Sequence, residues 1–197
     1  MSLLARQINY EKLNAVKRSA MALAAEEGPQ KATISAIAKR AGVSVGYLYT
    51  HFDSKDALMD QLIQELYDEI YEDLKAISDT LGTTQEKMKT FIKSFMNVAY
   101  VDKIKAKFLI SLAHDPRFIK EFIMEDPHGV FEIAEQVLNA GKRQGVIRKN
   151  LTAEELLLVM LNLPISSMYY CFVAEQFSIN EVDVRDRIAA LCLKAIG

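Results

Sequence analysis

Residues 33–55 read T-I-S-A-I-A-K-R-A-G-V-S-V-G-Y-L-Y-T-H-F-D-S-K. Ile34, Ile37, Ala38 and Ala41 fall at i, i+3, i+4 and i+7, which is one apolar stripe on a short helix. Thr33 is a good N-cap for it. Gly42 stands where the helix must end in a left-handed residue, a conformation open to glycine without a Cβ penalty. Val43 tucks inward and Ser44 caps a second helix. There Leu48 and Phe52, spaced i and i+4, face the core. Gly46, Tyr47, Tyr49 and Thr50 are left facing outward, with Val45 at the margin. Two short helices joined by a tight turn, the second presenting small and polar groups, is the layout of a DNA-binding helix-turn-helix. An ordinary helical hairpin shares Ala-x-x-x-Gly, but the full pattern of Ile, Ala, Gly, Val and Leu is far more specific.

From Lys12 to Leu58 the chain resembles the DNA-binding domain of the tetracycline-repressor (TetR/AcrR) family of bacterial transcriptional regulators. The matching residues begin with Ala20, Leu23 and Gly28. They continue through Thr33, Ile37, Ala38, Ala41, Gly42, Val43, Ser44, Gly46, Leu48, Tyr49, His51 and Phe52 to Ser54, Lys55 and Leu58. The resemblance implies an all-α regulator with a DNA-binding domain (1–53) and a ligand-binding and dimerisation domain (54–197), about nine helices in all. Contacts are expected to divide by chemistry. Thr33 and Ser35, at a helix N-terminus, suit phosphate. Tyr49, His51 and Lys55 are expected to hold the backbone. Val45, Gly46 and Tyr47 would sit deepest in the major groove. Ser44 and Thr50 complete the expected set.

Charge agrees with that division. Residues 1–55 hold eight basic and four acidic side chains, a net +4, while the whole chain carries −2, so the remainder carries −6. A basic head on an acidic body is the asymmetry expected when one end meets phosphate.

The rest of the chain is a succession of helix signals with few strand signals, so the class is all-α. The first helix should run from about Asn9 to Glu27 and stop at Gly28-Pro29. Ser54 caps a long helix to about Ser78. Thr83-Thr84-Gln85-Glu86 is a capping box for the next, to about Tyr100. Asp102 opens another, to about His114. Asp115-Pro116 and Asp126-Pro127 each place proline at a first helical position, starting a short helix (about 116–124) and one to about Gln144. Thr152-x-x-Glu155 boxes a long helix to about Gln176, and Ser178-x-x-Glu181 boxes the last.

Leu156 to Ala174 is almost wholly apolar. Asn162, Ser166, Ser167 and Pro164 interrupt it and no basic flank follows, so a buried helix is preferred to a membrane span. In the last helix Val184, Ile188, Leu191, Cys192 and Ala195 form one stripe. The last two helices suit a four-helix bundle with a second copy, as the resemblance also implies; Leu161, Ile165, Val184, Ile188, Leu191 and Cys192 are the expected interface. A homodimer is favoured because a lone helix-turn-helix reads few base pairs.

Catalytic signals are weak. The three histidines, His51, His114 and His128, form no metal pair, and no Ser/His/Asp or Cys/His constellation is visible. No phosphate-cradling glycine loop occurs. The two cysteines lack C-x-x-C spacing, and no N-terminal segment has a signal peptide's apolar core, which suits a reducing cytoplasm. Neither an enzyme nor a metal or cofactor protein is expected. The resemblance implies a cavity for a small apolar or aromatic effector among the middle helices. Tyr67, Tyr71, Phe95, Met96, Phe108, Met168 and Tyr169 are candidate lining residues. The expected function is a cytoplasmic dimeric repressor on a pseudo-palindromic operator, released by that ligand. The alternative is a helical ligand carrier without DNA recognition, which would not need the outward face from Thr33 to Lys55.

Overall fold

The computed structural model describes residues 3–113, 115, 129–173 and 182–197, and among them every regular element is helical. The N-terminal third holds α1 (Leu3–Glu27), α2 (Ile34–Ala41) and α3 (Val45–Tyr49). The remainder holds α4 (Lys55–Ser78), α5 (Thr84–Val101), α6 (Lys103–Leu112) and α7 (Val130–Gln144). It closes with a composite helix, α8 (Ala153–Leu157, Leu158–Asn162 and Leu163–Val173), and α9 (Val182–Ile196). The expected helix over 116–124, the Asp126-Pro127 start, the Ser178 box, His114 and His128 lie outside the described residues.

Capping fixes the starts. Ser54 Oγ accepts the Ala57 N–H at 3.0 Å. Thr83 Oγ1 accepts the Glu86 N–H at 3.2 Å while Glu86 accepts the Thr83 N–H at 2.8 Å, so both halves of the box form. Thr152 and Glu155 repeat it at 3.2 and 2.9 Å. The Asp102 carboxylate accepts the Lys105 N–H at 3.1 Å and starts α6. α1 begins at Leu3, ahead of the expected Asn9, because neither glycine nor proline interrupts the chain there.

One apolar core runs from Val16, Ile37 and Leu48 through Tyr67, Phe91 and Phe108 to Met168 and Ile196. The helix-turn-helix therefore sits directly on the body, with α1 against α6 and α4 continuing from the head without a break. At Gly141 in α7, an added Cβ would lie 2.4 Å from Ile147 Cδ1, so glycine is what lets the returning chain pack there. That return also seals the end of α9: Arg148 donates its N–H to Ile196 O at 2.9 Å and its guanidinium to Ala195 O at 2.6 Å.

Inside α8, Leu158–Asn162 forms a π-helical turn, immediately before Pro164. Proline supplies no N–H and its ring crowds the carbonyl four residues back, so the wider turn relieves the clash. The Cys192 thiol on α9 donates to Val159 O within that turn at 3.4 Å. Ala153–Phe172 is long and apolar enough by composition to cross a membrane, yet a core helix passes the same test and proline and hydroxyl residues interrupt it. Only 39% of this apolar stretch is buried, so much of its surface remains open.

Cys192 is fully buried, and burial pushes its thiol up to about 11. A thiol so raised stays protonated at neutral pH and is a poor nucleophile. Iodoacetamide at pH 7 is expected to label Cys192 only after denaturant is added. Mass spectrometry showing labelling of the native protein at a free-thiol rate would mean that α8 and α9 open.

Candidate nucleic-acid interface and ligand cavity

The turn between α2 and α3 is built as its residue types require. Thr33 Oγ1 accepts the Ala36 N–H at 3.2 Å, leaving its own O–H to donate outward. Gly42 has φ 68°, and its N–H and that of Val43 close the end of α2 on Lys39 O and Ala38 O at 3.3 and 3.0 Å. Ser44 Oγ accepts the Tyr47 N–H at 3.1 Å to start α3. Leu48 is wholly buried and Phe52 nearly so, fixing α3 on α1 and α2.

Around this scaffold Thr33, Ser35, Ser44, Val45, Gly46, Tyr49, Thr50 and His51 are exposed. Nothing but Ser44 Oγ, at 3.9 Å, approaches the position of a Cβ on Gly46, so another surface can come close there. Tyr47 differs: it is half-buried, its ring lies 4.8 Å from that of His51, and burial raises its hydroxyl pKa. Thr50 donates to Tyr47 O at 2.7 Å, so its hydroxyl proton is already engaged. Lys55 donates to Pro29 O at 3.3 Å and its ammonium lies 3.8 Å from an Asp56 oxygen, so a phosphate there would compete with Asp56. Arg40 forms a two-pronged pair with Glu26 at 2.5 and 2.8 Å, and that bonding holds the Glu26 carboxyl below its usual range. Lys31 and Lys39 are exposed on this face, and they carry more of its positive field than Arg40, whose charge Glu26 offsets.

The body places the other expected residues less uniformly. Tyr67, Phe95, Met96, Phe108 and Met168 are buried core, Tyr71 is half-buried, and Tyr169 is 47% exposed. A narrow apolar cavity of about 40 Å³ lies instead between α4, α5, α7 and α8. Leu74, Met88, Phe91, Val137, Leu156 and Met160 wall it, and Ser78 and Lys87 are the polar groups at its edge. None of the seven expected residues lines it; Met88 and Phe91 were one turn or two away from Phe95 on the same helix.

Of the expected interface residues, Leu161, Ile165 and Cys192 are buried inside the chain itself. Val184 and Ile188 are half-buried against the same core. Leu191 on α9 is 53% exposed, and Leu158, Leu163, Tyr169 and Tyr170 on α8 are exposed as well. α8 is apolar on every side, and such a helix does not announce which stripe is inner.

A buried two-helix scaffold that presents hydroxyls, a glycine and ring edges on a basic head defines a helix-turn-helix DNA-binding regulator. Residues 18–62 match the family described as bacterial regulatory proteins, tetR family. The chain is 28% identical to the HTH-type transcriptional repressor KstR2 of Mycobacterium tuberculosis over 163 residues, 78% of each chain. In fold it is similar to a TetR family transcription regulator from Marinobacter aquaeolei VT8, with a TM-score of 0.76, 17% identity, and 97% and 98% of the two chains covered. It is likewise similar to FadR from Bacillus subtilis, solved in complex with stearoyl-CoA, with a TM-score of 0.74, 20% identity, and 94% and 100% covered. Residues 18–62 thus carry a tetR-family DNA-binding domain, and over its length the chain is similar to TetR-family regulators in sequence and fold.

Proposed function

We propose that the protein is a cytoplasmic, homodimeric repressor that binds a pseudo-palindromic operator and is released by a small apolar effector. The observation that carries this reading is the outward face from Thr33 to Lys55, held by buried Leu48 and Phe52. Residues 1–53 are the DNA-reading head and 54–197 the ligand-binding and dimerising body. Thr33, Ser35, Ser44, Tyr49, His51 and Lys55 meet phosphate; Val45, Gly46 and Tyr47 meet base edges. Thr50 joins them only by releasing Tyr47 O. The apolar cavity and the stearoyl-CoA bound by FadR support an apolar effector. The open apolar faces of α8 and α9 support the dimer.

Selection of bound duplexes from a random pool tests the reading. An enriched inverted repeat is expected; recovery of no enriched site would favour a ligand carrier. Against the recovered site, Lys55→Ala is expected to weaken binding about equally on all sequences and to lower the salt slope by roughly one unit. A salt titration with unchanged affinity and slope would remove Lys55 from the interface. Tyr47→Ala is expected instead to change which bases are preferred.

A further inference from the structure

Three helices meet at a polar cleft between head and body, and one ion pair joins each two of them. Lys17 on α1 pairs with Glu65 on α4. Arg18 on α1 donates to both oxygens of Asp102, the N-cap of α6, at 2.7 and 3.3 Å. Lys105 on α6 pairs with Glu69 on α4. All six side chains line the same cleft, three of each sign.

Pairs this exposed add little to stability. Their geometry has another effect. Three bonds at the corners of a triangle oppose both sliding and rotation of α1 against α4 and α6. Asp102 strengthens the constraint, because the carboxylate that holds Arg18 also holds the first turn of α6 through the Lys105 N–H. The head moves with α1, since α2 packs on that helix and α3 packs on α2. A helix of 25 residues is about 37 Å long, so a tilt of about 5° displaces one end by roughly 3 Å relative to the other.

We infer that the Lys17–Glu65, Arg18–Asp102 and Lys105–Glu69 triangle sets the separation of the two heads, and thereby selects the operator half-site spacing without touching DNA. The inference rests on the reading of the protein as a dimeric DNA binder. It separates two kinds of specificity: the face of α3 reads the half-site, and the cleft reads the distance between half-sites.

The test is selection from random duplexes with the wild-type chain and two variants in parallel. Asp102→Asn keeps an N-cap acceptor and removes the charge. Glu65→Gln with Glu69→Gln removes the other two pairs. Both are expected to enrich the wild-type half-site but with a shifted or broadened separation. Affinity for the wild-type spacing is expected to fall by roughly fivefold or more. The melting temperature is expected to stay within about 2 °C. The exchanged pair Lys105→Glu with Glu69→Lys is expected to restore the wild-type spacing, and it serves as the measurement should either neutral variant fail to fold. Unchanged spacing and affinity in folded variants, or failure of the exchanged pair to restore spacing, would overturn the inference. Loss of the half-site sequence itself would also overturn it, assigning the triangle to folding of the head. If the wild-type chain enriches no sequence, the DNA-binding reading fails first and the inference with it, an outcome distinct from unchanged spacing.

Discussion

Leu48→Ala is expected to weaken specific DNA binding by roughly thirtyfold or more while leaving the body folded. Leu48 is 0% exposed and sits in the same core as Val16, Ala20, Ile37, Ala38 and Phe52. Truncating a buried leucine costs about 2–5 kcal/mol, the lost transfer energy plus the cavity left behind. α3 has five residues and no helical stability of its own, so its position depends on this anchor. The body has its own large share of the core, including Phe91, Phe95, Phe108 and Met168. Loss of about 2 kcal/mol from the head alone would lower operator affinity roughly thirtyfold if binding must first restore the fold. Operator titration and circular-dichroism melting measure the two effects separately. Wild-type affinity together with a wild-type melting curve would show that Leu48 does not anchor the reading helix.

Leu191→Glu is expected to split the dimer and leave a folded monomer. The side chain is 53% exposed in the single chain, so a carboxylate there is solvated as long as no partner covers it. Covering it unpaired in a dimer would cost on the order of 3–5 kcal/mol, a dimer roughly 10²–10⁴-fold weaker. Ile188→Glu is a poorer test, because Ile188 is half-buried against the chain's own core and its substitution would mix unfolding with dissociation. Sedimentation should show Leu191→Glu as a monomer with the wild-type helical spectrum. Operator binding should weaken more than half-site binding, since two heads no longer act together. A variant that still sediments as a dimer at the same concentrations would remove Leu191 from the interface.

How much of this was legible in the sequence depended on whether a residue type had one use or several. Gly42 at φ 68°, the Ser44 cap and the two capping boxes at Thr83 and Thr152 each answer a local requirement, and the structure contains all of them. The head also repeats one demand at several positions, so Leu48 and Phe52 inward leave little choice about what faces out. The cavity gives no such local sign. Phe91 and Phe95 stack at 5.7 Å on one helix, yet Phe91 borders open space and Phe95 is packed core. Only the neighbouring helices decide that. The same holds for α8, where Leu158 and Leu161 are equally apolar and one is exposed and the other buried. The ion-pair triangle joins residues 36 to 84 positions apart, which spacing along the chain does not reveal.

The π-helical turn at Leu158–Asn162 separates the length of α8 from its phase. A π-turn takes up one residue more than an α-turn over nearly the same rise. The helix on each side therefore keeps the facing it would have in a chain one residue shorter. Removing one residue from that turn, with Pro164 replaced so that the ring no longer crowds the turn behind it, should leave the buried stripe of Leu157 and the buried stripe of Met168 where they are. The same deletion in the middle of α4 would rotate everything beyond it by about 100°. Of the long helices, α8 is thus the one whose residue count can change without turning its outer face away from whatever rests upon it.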